Sequence, residues 1–402
     1  MPATVPRGTE GIHESTGETH MIGTTRDTTF IRSAMACALA AAGMAAHAQS
    51  NVTIYGIIDS TVEAASAKGA TAAGKDVPQL WRENSNSSLI GFKGTEDLGG
   101  GMSAMFQIEY GLNVDQGTGG APNRDTFVGL AGGFGSVKMG FLTSPMRGLG
   151  GKLNWIPGST SIANNIGIFT TLNGQALGLN SRIPNAVIYN SPKVSGFEGA
   201  LMYSFAESKP AKNDSAFGLG LTMDRDPFWV GYAYEARKDR GVLAAMPSTD
   251  WEHRLAVRYT WGDTKFSLGF DRHGSDGTYG TGAGAGNGTT QRDAFGLAVS
   301  HTVGLHEFIG HVVRANNLKC SGAATTGQCA AANVSETNAS QWALVYHYWL
   351  SKRTMLQAFA TRITNARNAK YDFDVNPVTA DYATRPAGAD PTGVGFGIRH
   401  AF

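Results

Sequence analysis

The sequence predicts an all-β protein, a 16-stranded antiparallel transmembrane β-barrel with the third external loop folded into the lumen. Three observations lead to this prediction. Apolar and polar residues alternate at a spacing of two in many segments, long and short connections alternate between those segments, and the chain ends on an aromatic residue. A period of two is the pattern of a strand whose two faces meet different environments.

The C-terminal segment Thr392–Phe402 carries the alternation to the last residue. One face holds Val394, Phe396, Ile398, His400 and Phe402, and the other holds Gly393, Gly395, Gly397, Arg399 and Ala401. An apolar strand left as an open edge invites aggregation, whereas a closed barrel pairs its last strand with its first. A C-terminal strand of a soluble β-sandwich is the alternative.

Composition narrows the class of protein without deciding it. Only 16% of the 402 residues are charged, against about 25% in typical soluble domains, and 53 residues are glycine. No apolar run of about 18 residues follows residue 50, which excludes a helical membrane protein. A transmembrane barrel and a secreted β-sandwich both fit this composition.

Residues 1–48 are predicted to be an upstream extension and a removable export signal, followed by a barrel domain over 49–402. Arg26 and Arg32 precede the small apolar stretch 33–46, and Ala46-His47-Ala48 matches a signal cleavage site. Translation could begin at Met1 or at Met21. Residues 1–48 hold three of the 33 basic and four of the 32 acidic residues, which leaves 30 against 28. This near balance, without a basic run, gives no support to a nucleic-acid partner.

Sixteen strand candidates follow in the mature chain. They are 51–63, 86–95, 101–113, 123–132, 135–142, 183–191, 197–207, 214–224, 227–237, 250–262, 264–273, 291–302, 305–316, 339–350, 353–364 and 392–402. Several of them place apolar and aromatic residues on one face and small or polar residues on the other. A lipid-facing wall around a wet lumen requires this division.

The connections between these strands alternate in length. Short ones lie at 96–100, 133–134, 192–196, 225–226, 263, 303–304 and 351–352. Long ones lie at 64–85, 114–122, 143–182, 238–249, 274–290, 317–338 and 365–391, and the glycine-rich stretch Thr278–Thr290 is predicted to be a flexible loop tip. Outer-membrane barrels have short periplasmic turns and long external loops.

The long connection 143–182 is too apolar for an exposed loop. It contains Leu149, Leu153, Trp155, Ile156, Ile162, Ile166, Ile168, Phe169, Leu172, Leu177 and Leu179. Apolar side chains favour burial, and a large barrel has an inner wall on which such a loop can pack. Packing over the barrel mouth or against a neighbouring subunit is the alternative.

Several motifs resemble the general diffusion porins of Gram-negative bacteria, in particular their beta-proteobacterial branch. They are Ser-Ser-Leu-Ile-Gly-Phe-Lys-Gly-Thr-Glu-Asp-Leu-Gly-Gly-Gly (87–101), Asn-Arg-Asp-Thr-Phe-Val-Gly-Leu (123–130), Ser-Arg-Ile-Pro-Asn-Ala-Val-Ile-Tyr (181–189) and the closing Gly-Ile-Arg-His-Ala-Phe. The resemblance covers residues 49–402. It implies a homotrimer in outer-membrane lipid and lipopolysaccharide, and it implies that Phe402 belongs to the signal read by the barrel assembly machinery.

The resemblance also implies a constriction at which wall arginines face acidic residues of the folded loop. Arg124 and Arg182 match two of the arginine positions, whereas Leu89 stands at the third. Residues 143–182 contain no Asp or Glu but do contain Arg147 and Lys152. Lys93 and Glu109 are further lumen candidates. The alternative for Arg124 and Arg182 is an ion pair with Glu109 or with another wall carboxylate.

Cys320 and Cys329 are predicted to form a disulfide in a long external loop. An exported protein favours a local disulfide over a metal site, which would need further ligands nearby. No pattern in the sequence indicates a metal or a cofactor.

The predicted function is passive diffusion of ions and small hydrophilic solutes through an outer-membrane pore with a preference for anions. A substrate-specific channel for sugars or carboxylates is the alternative, which an aromatic track in the lumen would indicate. A barrel hydrolase is a third possibility, and it would need a Ser/His or Asp/His constellation at one height of the barrel. The mature histidines, 253, 273, 301, 306, 311, 347 and 400, are not accompanied by such a motif. The sequence therefore does not favour an enzyme.

Overall fold

The computed structural model describes residues 51–153, 156, 158, 160–207, 214–279, 285–323, 329–330, 334–379 and 382–402. The predicted export signal lies outside the described residues. In chain order the strands are β1 (Asn51–Lys68), β2 (Val77–Ser85), β3 (Leu89–Gly99), β4 (Met102–Asn113), β5 (Thr118–Gly119), β6 (Thr126–Gly132), β7 (Gly135–Thr143), β8 (Thr171–Leu172), β9 (Gln175–Ala176), β10 (Arg182–Asn190), β11 (Phe197–Ser204), β12 (Ala216–Arg225), β13 (Phe228–Lys238), β14 (Ala245–Trp261), β15 (Thr264–Tyr279), β16 (Gly286–Val303), β17 (His306–Ala315), β18 (Lys319–Gly322), β19 (Ala339–Trp349), β20 (Thr354–Asn365) and β21 (Asp390–Ala401). Two helices, α1 (Pro145–Leu153) and α2 (Ile166–Phe169), lie between β7 and β10.

The wall strands pair antiparallel with their neighbours in the chain, and β1 pairs with β21 from Ile57↔Ala401 to Lys68↔Asp390. Both β2 and β3 pair with β1, so together they make one wall strand, as β17 and β18 do against β16. The short strands β5, β8 and β9 belong to connections. The wall therefore has sixteen strands and no free edge, which confirms the predicted barrel.

The two faces of the wall differ in chemistry. In β19 the side chain of Leu344 is 63% exposed, whereas Gln341 is 1% exposed and contacts the segment between β7 and β10. The exposed face of the terminal strand carries Phe396 and Phe402. In a closed wall an exposed apolar face looks outward to lipid, and a buried polar face looks into the lumen.

Among the described residues, no helix has the length and apolar character needed to cross a bilayer.

Several connections are shorter than the sequence predicted; for example, β14 begins at Ala245, within the predicted link 238–249. The link 64–85 was predicted as a loop, but β1 continues to Lys68 and β2 begins at Val77. Within Thr278–Thr290, residues 278–279 belong to β15 and residues 286–290 belong to β16. The backbone ladder needs only amide and carbonyl groups, so these strands extend into polar and glycine-rich sequence that has no apolar pattern.

The connection 144–181 packs on the inner wall. Helix α1 contacts β11 to β15, and Met146, Leu149 and Leu153 are buried with Trp229 of β13. Helix α2 contacts β17 and β19, and a Cβ at Gly296 of β16 would lie 2.7 Å from the ring of Phe169. Glycine at this position lets the loop approach the wall closely.

Candidate functional site

The first part of the site is a group of three inner-wall residues. Tyr55 of β1 donates a hydrogen bond from its hydroxyl to Glu109 Oε1 at 2.8 Å. The Nε atom of Arg124 lies 3.4 Å from Glu109 Oε2. Ile54, which precedes Tyr55 and lies on the opposite face of β1, is 60% exposed on the outer surface. Tyr55 therefore faces the lumen, and so does Glu109, to which it is hydrogen-bonded. Arg124 therefore sits on the wall with its charge balanced by Glu109.

Arg182 has its own carboxylate. Its Nε atom lies 2.6 Å from Asp125 Oδ2, and Asp125 also accepts hydrogen bonds from the backbone N–H and the hydroxyl of Thr143, each at 2.7 Å. Asp125 thus ties the start of β6 to the end of β7 and the start of β10. An ion pair with a carboxylate was the predicted alternative for both Arg124 and Arg182, and each arginine has one.

Arg147 lies in the first turn of α1. Ser144 precedes Pro145 and accepts a hydrogen bond from the backbone N–H of Arg147 at 3.1 Å, an arrangement typical of a helix start. The guanidinium donates to the carbonyl of Asn180 at 3.1 Å. Burial, as the larger cause, and the nearby positive charges of Arg182 and Arg124 together lower the pKa of Arg147 to about 10. Arg147 therefore remains charged at neutral pH and belongs to the same basic group.

Lys93 and Lys152 have different positions. The ammonium group of Lys93 lies 4.8 Å from the centre of the Tyr55 ring. Gly91, which precedes Lys93 by two residues on the same face of β3, pairs with Glu109 of β4. Lys152 is exposed at the end of α1 and lines a separate cavity of about 330 Å³ with Lys193 and Trp229, near the short turns. The structure therefore brings together five of the six predicted residues.

We call Lys93, Glu109, Arg124, Asp125, Arg147 and Arg182 the basic cluster. It holds four positive and two negative formal charges. Asp125 was not predicted, although it stands in the quoted motif Asn-Arg-Asp-Thr.

A further acidic residue lies close enough to the basic cluster to feel its charge, and it belongs to the last long connection, 366–389. Asp374 lies near Arg147, and the positive charges of Arg147 and Arg385 act on its carboxylate. Burial nevertheless raises the pKa of Asp374 above its ordinary value. The third loop contains no acidic residue, and the carboxylate near Arg147 belongs to a loop more than 200 residues away in the chain. No local sequence signal indicates this proximity.

Two buried arginines attach the third loop to the wall. Arg292 of β16 donates to the carbonyls of Ile168 at 2.7 Å and Phe169 at 2.8 Å, and its Nε donates to that of Thr171 at 3.0 Å. Arg254 of β14 donates to Asn180 Oδ1 at 2.8 Å and to the carbonyl of Phe169 at 3.3 Å.

Asp271 of β15 lies between the two arginines. It accepts from Arg254 Nε at 3.1 Å and from Arg292 Nη1 at 2.8 Å. The alternation in 250–262 places Arg254 on the polar face, but the sequence gives no indication of its role.

The network also contains a possible set of metal ligands. Ligand atoms of Glu252, Asp271 and His273 lie within 4.8 Å of one another. However, both oxygens of Asp271 already accept hydrogen bonds from arginines, and Arg254 also contacts Glu252 Oε1. A cation would have to bind beside two guanidinium groups, so the set is better described as part of the ion-pair network.

The remaining predicted residues lie at the closure and in a long connection. Phe402 exchanges backbone hydrogen bonds with Gly56 of β1, at 3.0 and 3.1 Å, and its ring is half-exposed on the outer face. Cys320 and Cys329 are joined as a disulfide with their Cα atoms 5.9 Å apart, and they pack with Tyr279.

Comparison with known proteins identifies the family. The sequence profile of the Gram-negative porin family matches residues 34–368. This chain belongs to that family. The porin is 33% identical to the major outer membrane protein P.IB of Neisseria gonorrhoeae over 198 residues. This aligned segment covers 49% of this chain and 55% of that relative. It spans between half and two thirds of the length of the Neisseria relatives it matches.

Two further similarities extend over most of the porin. It is 27% identical over 401 residues to the outer membrane porin protein 32 of Delftia acidovorans, over 92% of this chain and 99% of that one. The anion-selective porin from Comamonas acidovorans superposes with a TM-score of 0.68 and 25% identity, covering 88% of this chain and all of that one. These relatives confirm the resemblance to the beta-proteobacterial branch and the location in the Gram-negative outer membrane.

The trimer form of OmpT from Vibrio cholerae superposes with a TM-score of 0.62 over 88% of this chain and 99% of that one. At 14% identity this similarity shows the fold alone.

Proposed function

We propose that this porin is a pore for passive diffusion of ions and small hydrophilic solutes, with a preference for anions. Its family and fold imply a channel rather than an enzyme. The observation that carries the anion preference is the charge of the basic cluster, in which four cations lie with two carboxylates on the inner wall and the third loop. The anion-selective relative from Comamonas acidovorans supports the same preference.

The proposed selectivity filter is the space between the wall residues of the basic cluster and α1. The third loop narrows the lumen there, and low-dielectric walls concentrate the field of a few like charges. Selectivity of this kind needs no specific binding site for the ion, because it follows from the width of the pore and the charge of its lining.

A planar bilayer measurement tests this proposal. The purified full chain should form open channels, and under a salt gradient its reversal potential should have the sign of anion preference. Salt should weaken the preference, because the Debye length falls from about 10 Å at 0.1 M to about 3 Å at 1 M. Absence of channels would contradict the pore, and cation preference at low salt would contradict the assigned charge.

The proposed assembly is a homotrimer, as membership of the Gram-negative porin family implies. We further propose that Phe402 is read by the barrel assembly machinery before it closes the wall against Gly56. Replacing Phe402 with Ala should lower the amount of folded porin in outer membranes. The same replacement should have less effect on refolding of purified chain into detergent, which needs no recognition step.

The surrounding partners are proposed to be outer-membrane lipid and lipopolysaccharide. The exposed apolar side chains of the outer face, for example Leu344 and Phe396, fit contact with lipid.

A further inference from the structure

A cavity lies between α1 and the inner face of the wall, on the short-turn side of the third loop. It has a volume of about 330 Å³, which falls in the range of small-molecule sites. Residues within 143–152 line it from the third loop, and inner-face residues of β10 to β13 line it from the wall, together with Lys193 of the short connection 192–196. We call it the α1 cavity. A solute that has passed α1 toward the short turns would meet it.

One part of the α1 cavity is apolar. The buried side chains of Leu149, Ile188 and Trp229 line it. The guanidinium of Arg258 lies 5.3 Å from the centre of the Trp229 ring, so this cation is already engaged by the indole. A Cβ at Gly148 of α1 would face open space, so the glycine leaves room beside these side chains. An apolar group of a solute can be covered here without displacing a side chain.

The other part of the α1 cavity carries charges of both signs. Glu198 of β11 pairs with Thr222 of β12, and Asp224 follows Thr222 by two residues on the same face. The ammonium group of Lys193 lies 2.9 Å from Asp224 Oδ2, and both side chains are more than half exposed. Lys152 lies in the last turn of α1. The charged side chains that line the cavity are therefore two lysines and two carboxylates.

Lys152 and Glu198 have their charges available to a solute. Both are exposed, and among the described residues neither takes part in an ion pair. The charge of Lys152 acts on the Asp224 carboxylate, so α1 and the wall share one electrostatic environment in this cavity. A direct ion pair between two exposed side chains contributes little to stability, which leaves both groups free to bind a solute.

We propose that the α1 cavity binds an amino acid with an apolar side chain, in its zwitterionic form. Lys152 would bind the carboxylate, Glu198 would bind the ammonium group, and Leu149 and Trp229 would cover the side chain. A simple anion would leave Glu198 unpaired, a simple cation would leave Lys152 unpaired, and a sugar would pair neither charge. An amino acid brings both charges and an apolar group on one small molecule, so it is the class of solute that fits both parts of the cavity.

The inference rests on the proposed pore only for entry of the solute into the lumen. Binding is therefore measured without current, on the purified full chain in detergent, by titration with leucine in saturation-transfer NMR. Two analogues each lack one charge: 4-methylpentanoate has no ammonium group, and 3-methylbutylamine has no carboxylate. Leucine should bind roughly 5-fold more tightly than either analogue, a factor within reach of one exposed ion pair. A chain that binds leucine but forms no channels in bilayers would contradict the pore and support this site.

Each charge is then removed from the protein in turn. Lys152→Gln should weaken leucine binding roughly 5-fold and leave binding of 3-methylbutylamine unchanged, because this analogue has no carboxylate to lose. Glu198→Gln should weaken leucine binding by a similar factor and leave binding of 4-methylpentanoate unchanged. A merely structural role of either residue would weaken all three ligands alike and would not produce this crossed pattern.

The matched control combines Lys352→Gln with Glu96→Gln, which removes one exposed cation and one exposed carboxylate elsewhere at the short-turn end. It should bind leucine as the parent does. If the charge variants do not fold, Gly148→Leu provides a second test, because leucine suits a helix better than glycine and its side chain would enter the apolar part of the cavity. This variant should bind leucine and both analogues more weakly than the parent.

Three results would overturn the inference. The first is a parent that does not bind leucine. The second is equal binding of leucine and 4-methylpentanoate by the parent, which would indicate a site for a simple anion. The third is equal binding of leucine by the parent and by the double variant Lys152→Gln, Glu198→Gln, which would show that neither charge contacts the solute.

Discussion

Joint replacement of Arg124 and Arg182 with Ala should abolish most of the anion preference. Each arginine is bound to a wall carboxylate, Glu109 and Asp125 respectively, so both carboxylates lose their counter-charge. They keep hydrogen bonds from Tyr55 and Thr143, which favours their remaining charged in place. The formal charge of the basic cluster falls from two positive units to zero.

The expected size of the effect follows from Coulomb's law in the water-filled lumen. An ion about 5 Å from a unit charge gains or loses roughly 0.8 kcal/mol in water, which screening at about 0.1 M salt reduces to roughly 0.5 kcal/mol. Two lost charges therefore disfavour an anion by roughly 1 kcal/mol and favour a cation equally. The cation-to-anion permeability ratio should rise by roughly 30-fold at most.

Reversal potentials in planar bilayers under a potassium chloride gradient measure this ratio. The matched control replaces Lys352 and Arg353 of a short turn with Ala, which removes the same charge far from the basic cluster and should change the ratio little. Replacement of Arg124 and Arg182 with Lys keeps the charge and should keep most of the preference. An unchanged reversal potential in the double Ala variant, with folded trimer present, would show that these arginines do not face the permeating ion.

Four further predictions concern other parts of the molecule. Because burial raises the pKa of Asp374, its carboxylate takes up a proton as pH falls through the raised value, so the anion preference measured by reversal potential should increase in acid, and Asp374→Asn should remove that increase. Arg292→Met removes hydrogen bonds to three loop carbonyls and leaves a carboxylate partly unpaired, so the loop should lose roughly 3–5 kcal/mol of packing and become sensitive to protease while the barrel stays folded on gels. Joint replacement of Cys320 and Cys329 with Ser should leave the barrel folded, since a short closed loop contributes about 2–3 kcal/mol, and two free thiols in unreduced parent protein would contradict the disulfide. The mature chain should begin at Gln49, and a start near Met1 in the N-terminal sequence of outer-membrane protein would disprove the predicted cleavage.

The sequence by itself determined the wall of this porin. Alternation in segments such as 228–238 and 392–402 encodes one lipid-facing and one lumen-facing side, because a strand turns successive side chains to opposite faces. The apolar residues of 143–182 also required a buried place for the third loop. These features depend on neighbours within a few residues, so they are readable without coordinates.

Only the tertiary structure decided which residues lie beside the charged side chains of the lumen. Arg292 is separated by more than 100 residues from the carbonyls of Ile168 and Phe169, and Asp374 by more than 200 from Arg147. These approaches depend on the stagger between strands and on the path of two long loops, neither of which leaves a local pattern. The ends of β1 and β2 were also decided by cross-strand pairing, because backbone hydrogen bonds extend a strand beyond the membrane without apolar side chains.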